Sequence, residues 1–208
     1  MPTASSIARD DITGIVLCGG DARRMGGIEK PLQLLHGTPL VQHVCERLAP
    51  QVSRIVISAN RDRERYAHFA DAVIADDVPD RGPLGGLASA LRFVTTPYVA
   101  CVPGDAPQLD TALVARLANT LDHAHADVCM PHDGSRTQQL FVFAKTNLRN
   151  TIVDYLDQGH RSVLGWLDAR HTVVIDASDI AYSFLNINTE QELLLAQDAY
   201  PSPVSERS

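Results

Sequence analysis

The chain has 208 residues, of which 45% are hydrophobic and 21% charged, with a formal net charge of −7. This is typical of a soluble chain with one core, and the acidic balance argues against nucleic acid or an anionic membrane as a partner. No signal peptide or apolar run of about 18 residues is present, so we expect a cytoplasmic protein. The four cysteines form no C-x-x-C pair and fit small core residues in a reducing compartment.

Short apolar runs alternate with segments of helical period along the chain. Strands are predicted at 12–19, 54–60, 71–77, 98–103, 126–131, 138–144, 171–176 and 183–188. Helices are predicted at 38–50, 63–70, 82–94, 110–121, within 146–169, and from 189 onward. Thr38 with Pro39 would open the first helix, Asp110 would cap the fourth, and Thr189 with Glu192 has capping-box spacing.

This alternation predicts an α/β fold with a single doubly wound, mainly parallel, Rossmann-like sheet and helices on both faces. We expect one domain over residues 11–199, with flexible ends at 1–10 and 200–208.

A glycine-rich loop follows the first predicted strand, in the sequence CGGDARRMGGIEK (18–30). It lacks the lysine and hydroxyl residue that follow the second glycine of a Walker A loop, and its glycines fit G-x-G-x-x-G in no register. Adjacent glycines let main-chain amides approach an anion, and Arg23, Arg24 and Lys30 add positive charge to the loop. The loop indicates a polyphosphate site, with a solvated surface turn as the alternative.

Four segments are predicted to follow strands at the carboxyl edge of the sheet, where such sheets bind ligands: 19–30, 58–61, 76–86 and 103–107. In the last, Asp105 lies in a short loop between two prolines, which suits Mg²⁺, although a turn or capping role is the alternative. Asn186 and Asn188 alternate on a predicted strand, so both amides would point to one face unless they are strand-end turn residues.

Together these motifs resemble the molybdenum cofactor guanylyltransferases, the MobA family of the nucleotidyltransferase superfamily. LCGGDARRMGGIEKPLQLL (17–35) is similar to the family signature L-A-G-G-x-S/A-x-R-M-G-x-D-K. ISANR (57–61), GPLGGL (82–87), VPGDAP (102–107) and FLNINTEQEL (184–193) follow in the same order, so the resemblance covers nearly the whole chain. The double arginine with methionine and the Asn-x-Asn-Thr ending indicate the guanylyl branch. The resemblance implies a fold of the nucleotidyltransferase type.

The resemblance also implies roles for the matching residues. Arg24, Lys30 and Asp105 would be catalytic, with Arg24 and Lys30 holding the triphosphate. Asp105 would bind Mg²⁺, which Mn²⁺ can replace, and Asn188 with Asn186 would complete the metal site. The nucleotide contacts would come from Leu17, Cys18, Gly19, Gly20, Lys30, Ser58, Asn60, Asp76 and Asp105.

Several positions depart from the family pattern. Cys18 replaces an alanine, Glu29 replaces an aspartate, and Ser58 stands where some members have asparagine. Gln138 and Gln139 replace the common His-Pro or Glu-Pro pair, a departure that concerns recognition of the second substrate.

The implied reaction transfers GMP from GTP to the terminal phosphate of molybdopterin, forming a guanine dinucleotide and releasing pyrophosphate. That phosphate is anionic at neutral pH, so positioning and charge neutralisation suffice without a general base. GTP and the molybdopterin cofactor are the expected partners, and transient contact with proteins that make or accept the cofactor is left open.

Other interpretations stay open at this point. One is a nucleotidyltransferase of the same fold that uses CTP, or a sugar phosphate as acceptor, and another is a non-catalytic nucleotide-binding regulator. His123 and His125 have a spacing that could indicate a metal pair, although a polar link before a strand explains them better. His132 with Arg136 either borders the acceptor pocket or belongs to a solvated loop.

Overall fold

The computed structural model describes residues 7–19 and 29–199. Its strands are β1 (Ile12–Leu17), β2 (Leu34–Leu35), β3 (Thr38–Pro39), β4 (Arg54–Ser58), β5 (Ala72–Ile74), β6 (Tyr98–Pro103), β7 (Val128–His132), β8 (Val142–Lys145) and β9 (Thr172–Asp176). Its α-helices are α1 (Leu40–Leu48), α2 (Arg63–Tyr66), α3 (Gly82–Leu91), α4 (Leu113–His123), α5 (Arg149–Asp157), α6 (Val163–Asp168) and α7 (Glu190–Ala199). No described helix is long and apolar enough to cross a membrane.

Over the described residues, seven strands form one sheet in the order β5-β4-β1-β6-β8-β7-β9. Only β8 among them runs antiparallel, pairing with β6 and β7, while the other neighbours pair in parallel. The predicted mainly parallel α/β sheet is confirmed. The antiparallel strand follows from the short loop between β7 and β8, which is too short for a parallel crossover.

Helices cover both faces of this sheet. One core packs α1 and α4 on the sheet and includes Val16, Val44 and Leu117, while the other packs α3, α5 and α6 and includes Ile15 and Trp166. Adjacent residues Ile15 and Val16 of β1 thus enter opposite cores, as side chains alternate along a strand. The two cores give the doubly wound architecture that the sequence predicted.

The first helix begins later than predicted. Thr38 and Pro39 pair with Leu35 and Leu34 as an antiparallel hairpin, and α1 starts at Leu40. The connecting residues His36 and Gly37 have φ angles of 50° and 79°. A two-residue hairpin turn of type I′ requires positive φ at both positions, and His-Gly is not one of the residue pairs that typically predict it.

Three further predictions needed correction. Asp110 does not cap α4, which begins at Leu113; its Oδ1 accepts from the Ala112 N–H at 2.8 Å, in the turn before the helix. The helical stretch 146–169 is broken at Gly159, whose φ is 89°, and resumes at α6. The predicted helix 63–70 is only the short α2.

The predicted strand 183–188 is wrong. Residues Ser178–Phe184 form 3₁₀ turns, and Asn186 and Asn188 lie outside any strand. The Ser183 hydroxyl accepts from the Asp110 N–H, and the Ile187 N–H donates to the Asp105 carbonyl at 2.9 Å. The segment is therefore held by loop contacts at the carboxyl edge of β6 instead of by a strand ladder.

One residue of the predicted N-terminal end is part of the core. Ile7 is buried in the core that also contains residues of α1 and β1, and Arg9–Asp11 form a 3₁₀ turn. Ala8, Arg9 and Asp10 are exposed, and the flexibility expected of this end stays a prediction. Residues 1–6 and 200–208 lie outside the described residues.

Candidate functional site

Four strands bring their carboxyl ends to one edge of the sheet. Leu17 at the end of β1 pairs with Ser58 of β4 and with Pro103 of β6, and Ser58 pairs with Ile74 of β5. The loops after these strands carry the predicted site residues. This register confirms that the predicted segments 58–61, 76–86 and 103–107, and the start of 19–30, meet at one edge.

Lys30, Asp105 and Asn188 converge at this edge from three distant parts of the chain. The Lys30 Nζ donates to Asn188 Oδ1 at 2.9 Å. The segment that carries Asn188 is tied to the Asp105 loop through the bond from the Ile187 N–H to the Asp105 carbonyl. The cluster combines a cation, a carboxylate and an amide, as the sequence predicted.

Burial raises the pKa of the Asp105 carboxyl above its ordinary value of 3.8. The positive charge of Lys30 and the hydrogen bond from the residue's own main chain oppose that rise, and the Glu192 carboxylate adds to it. A carboxylate short of solvent gains from an added cation, because desolvation penalises its charged form. The Asp105 carboxylate is thus suited to bind a cation.

The segment bonded to the Asp105 loop carries an amide oxygen of the kind that hard divalent cations bind. Asn186 Oδ1 is buried and has no hydrogen-bond partner among the described residues, and its neighbour Ile187 contacts Asp105. Among residues 7–19 and 29–199, no three His, Cys, Asp or Glu side chains group as a metal set. A cation here would take its remaining ligands from substrate phosphate and water, which is how Mg²⁺ is commonly bound.

Ser58, Asn60 and Asp76 form a second cluster on the neighbouring strand ends. The Asp76 carboxylate accepts from Ser58 Oγ at 3.3 Å and from Asn60 Nδ2 at 3.0 Å. The Asp76 N–H donates to Asn60 Oδ1 at 2.8 Å, so the Asn60 amide is bonded through both of its ends. Three residues predicted to contact the nucleoside are therefore held as one unit.

The loop after β1 is described only as far as Gly19. The Cys18 N–H donates to the Ser58 carbonyl, and the Leu17 carbonyl accepts from the Gly104 N–H at 2.9 Å. Cys18 is buried, and burial raises the pKa of its thiol. Gly19 is exposed, and no atom of residues 7–19 or 29–199 lies within 4 Å of where its Cβ would be. Gly20 and Arg24, both predicted to bind the nucleotide, lie outside the described residues.

Two glycines that were not assigned roles prove important for packing at the site. A Cβ on Gly86 would lie 2.6 Å from Ser58 Oγ and 3.4 Å from Asp76 Oδ1. A Cβ on Gly104 would lie 2.5 Å from Cys18 Sγ and 3.4 Å from Pro31 Cβ. The quoted motifs GPLGGL and VPGDAP contained both residues, but only the tertiary contacts give the reason for glycine.

The loop between β7 and β8 is organised by Asp133. Its carboxylate accepts from the main-chain amides of Ser135 and Arg136, the Ser135 hydroxyl and the Gln138 side chain. The hydrogen bond from the Arg136 amide lowers the pKa of the Asp133 carboxyl most. Together these bonds hold that pKa well below its ordinary value. Gln138 is buried and Gln139 exposed. This loop is therefore ordered by internal bonds, and Arg136 is exposed on it.

The predicted alternative for His123 and His125 agrees with the structure. His123 ends α4 and its Nδ1 lies 2.6 Å from the Asn119 carbonyl oxygen, while His125 has a φ of 50° in the link to β7. His132 Nδ1 accepts from the Gly134 N–H within the Asp133 loop.

Two open grooves, of about 760 Å³ and 380 Å³, border helix α2. Neither is lined by a predicted site residue. The candidate site is identified from the convergence of strand ends and polar side chains.

The model of the MobA-like NTP transferase domain matches residues 14–173. The molybdenum cofactor guanylyltransferase of Cupriavidus necator is 44% identical over 193 residues, which cover 90% of this chain and 96% of the relative. The protein of the same name from Vibrio cholerae is 38% identical over 192 residues, covering 92% of this chain and 94% of the relative.

Solved structures agree on the fold. Molybdopterin-guanine dinucleotide biosynthesis protein A from Archaeoglobus fulgidus superposes with a TM-score of 0.75 at 23% identity, over 90% of this chain and 97% of that chain. The 4-diphosphocytidyl-2C-methyl-D-erythritol synthase from Anaerococcus prevotii has a TM-score of 0.69 at 12% identity, over 91% of this chain and 96% of that chain. At these identities the likeness concerns the fold alone. The family match and the close relatives show more: the chain belongs to the MobA-like NTP transferases, among the molybdenum cofactor guanylyltransferases, and is a nucleotidyltransferase.

Proposed function

We propose that the protein transfers GMP from GTP to the terminal phosphate of molybdopterin, forming the guanine dinucleotide cofactor and releasing pyrophosphate. The observation that carries the proposal is the convergence of Lys30, Asp105 and Asn188 at the edge where parallel sheets bind ligands. The names of relatives 38% and 44% identical to the chain support the choice of guanine and molybdopterin.

The reaction requires little covalent help from the protein. An oxygen of the acceptor phosphate attacks the α-phosphorus of GTP. The bond from that phosphorus to the oxygen shared with the β-phosphorus breaks, and this oxygen leaves as a terminal oxygen of pyrophosphate. Lys30 stabilises the negative charge that builds on the triphosphate, and Arg24, outside the described residues, is proposed to do the same. The acceptor is already ionised, so no side chain has to remove a proton.

The cluster of Ser58, Asn60 and Asp76 is proposed to orient the nucleoside. Its side chains are bonded to one another before substrate binds, which reduces the entropy lost on binding. Gly19 is proposed to let main-chain amides approach the phosphates, since no atom of the described residues fills the space beside it.

Asp105, with Asn186 and Asn188, is proposed to hold Mg²⁺, or Mn²⁺ in its place. Such an ion would neutralise triphosphate charge and orient its oxygens. Asp105 offers a half-buried carboxylate and Asn186 a buried oxygen without a hydrogen-bond partner in the described part of the chain, while Asn188 Oδ1 accepts from Lys30. Asn188 therefore also fixes the direction of the Lys30 side chain.

We further propose that the protein acts in the cytoplasm on these small molecules, without nucleic acid or membrane, and exchanges the cofactor with synthesis or acceptor proteins. The net charge of −7 supports the absence of a polyanionic partner.

The proposal is tested by measuring pyrophosphate release with GTP, ATP, CTP and UTP, each with and without molybdopterin and Mg²⁺. We expect release only with GTP, molybdopterin and the metal together. Equal turnover with CTP would assign the protein to the cytidylyl branch. GTP binding without pyrophosphate release under any condition would assign it to the non-catalytic regulators.

A further inference from the structure

A tyrosine outside every predicted binding segment contacts the segment that carries Lys30. Tyr66, at the end of α2, is 0% exposed. Its hydroxyl donates to Glu29 Oε2 at 2.9 Å. The bond connects a core residue of one helix with the residue immediately before Lys30.

Packing alone does not explain this hydroxyl. The Tyr66 ring lies in the core with Cys18 and Leu32, where a phenylalanine would bury the same ring without a polar atom. A buried phenol needs a hydrogen-bond partner, and a carboxylate is a stronger acceptor than a neutral group. Burial, together with the nearby Cys18 thiol and Glu29 carboxylate, raises the pKa of Tyr66, so the hydroxyl stays a donor.

Glu29 is placed to transmit this anchoring to Lys30. Its carbonyl accepts from the Leu32 N–H at 3.0 Å, which opens the 3₁₀ turn Lys30–Leu32. Pro31 and Leu32 of that turn are buried, and Pro31 lies against Gly104, next to Asp105. The side chain of Glu29 is thus held by Tyr66 while its main chain begins the turn that presents Lys30 to the site.

We propose that Tyr66 is a positioning residue for the triphosphate site, acting through Glu29 on Lys30. The inference rests on the proposed role of Lys30 in binding phosphate. Tyr66 itself does not contact the substrate. It fixes the start of the turn, so the Lys30 ammonium is already held near Asn188 when the triphosphate binds. Less entropy is then lost in ordering the Lys30 side chain.

The test compares the affinities of GTP and guanosine by calorimetry in Tyr66→Phe, Lys30→Ala and the double variant. We expect Tyr66→Phe to weaken GTP binding by about tenfold and leave guanosine unchanged, since one charge-assisted hydrogen bond is lost. In the Lys30→Ala background, Tyr66→Phe should not weaken GTP binding further, because the effects of substitutions at coupled residues are not additive.

Two more variants keep the test decisive. Tyr182→Phe removes a hydroxyl that donates to Asp110 Oδ2 at 2.7 Å, and it should leave both affinities unchanged. Glu29→Ala leaves the core ring intact and removes the carboxylate that accepts from Tyr66, so it should reproduce the loss seen with Tyr66→Phe even if that variant folds poorly.

Distinct results would overturn the inference and the proposed function. Equal weakening of GTP and guanosine by Tyr66→Phe, or an undiminished loss in the Lys30→Ala background, would show that Tyr66 only supports the fold. A normal GTP affinity in Tyr66→Phe beside a weakened one in Lys30→Ala would overturn the inference alone. A normal GTP affinity in Lys30→Ala would overturn both the inference and the proposed role of Lys30 on which it rests.

Discussion

The Nζ of Lys30 lies 2.9 Å from Oδ1 of Asn188, although 158 positions separate the two residues in the chain. Lys30 ends the glycine-rich loop 18–30, and Asn188 lies in the motif FLNINTEQEL (184–193), so the two residues belong to different motifs. The bond shows that the opening and closing motifs of the sequence form one site.

Lys30→Ala should lower kcat/KM for GTP by a factor on the order of 10², because it removes charge stabilisation that grows in the transition state. Turnover and the affinities of GTP, GDP and guanosine are the measurements. Lys145→Ala, which removes a lysine paired with Asp127 at 2.9 Å, is the control and should leave turnover unchanged. An equal loss for GTP, GDP and guanosine would mean that Lys30 only shapes the loop.

Asp105→Asn should lower turnover by a factor on the order of 10² or more, comparable with the loss of other charge-stabilising groups. It should not lower thermal stability at neutral pH, because burial already disfavours the charged carboxylate in the fold. Activity across a Mg²⁺ titration and the melting temperature check both statements. Full activity of the variant at ordinary Mg²⁺ would remove Asp105 from the metal site.

GTP should be preferred over ATP and CTP by about two orders of magnitude or more in kcat/KM, since a site built to hydrogen-bond a base edge rejects analogues lacking those groups. Inosine triphosphate, which lacks the amino group of guanine, should fall between them. Asn60→Ala should reduce the preference for GTP over ATP and CTP, because it removes both hydrogen bonds between residue 60 and Asp76. A preference that is unchanged in this variant would place base recognition elsewhere.

Gly19→Val should fold normally but bind GTP poorly. Among the described residues, no atom lies within 4 Å of a Cβ at this position, so we expect the fold to accept a side chain there. A phosphate bound close to the main chain would clash with that side chain. Gly86→Ala is the contrasting variant, since its Cβ would lie 2.6 Å from Ser58 Oγ and disturb the protein itself. Melting temperatures and GTP affinities separate the two, and normal GTP binding by Gly19→Val would exclude close phosphate contact there.

Asp133→Asn should destabilise the protein at pH 7 and do so less in acid. Hydrogen bonds hold the folded pKa of Asp133 below its ordinary value of 3.8. Its ionised form therefore stabilises the fold above pH 3.8, and this contribution is lost as the pH falls through the lower folded pKa. Denaturation of both proteins at pH 7, 4 and 2.5 measures the difference, and a constant difference across the series would contradict this account.

The sequence by itself determined the class of fold and the loops that carry Lys30 and Asp105. Alternating apolar runs and helical periods predicted the parallel sheet, because burial on two faces imposes those patterns. Lys30 and Asp105 could be proposed because each lies in a loop of recognisable composition after a strand. Asn188 was proposed from an alternation that the structure places outside any strand, and its role came from the family resemblance. The capping box of Thr189 and Glu192 was also predictable, and its reciprocal bonds are present.

Only the tertiary structure decided how the remaining residues act. Asn186 and Asn188 alternate like strand residues, yet contacts with Asp105 and Lys30 hold their segment as a loop. Glycine at position 86 is explained by Ser58, and the hydroxyl of Tyr66 by Glu29, each a neighbour remote in sequence. Such contacts leave no periodic or local pattern in the sequence, because close approach and hydrogen-bond satisfaction depend on which segments the folded chain brings together.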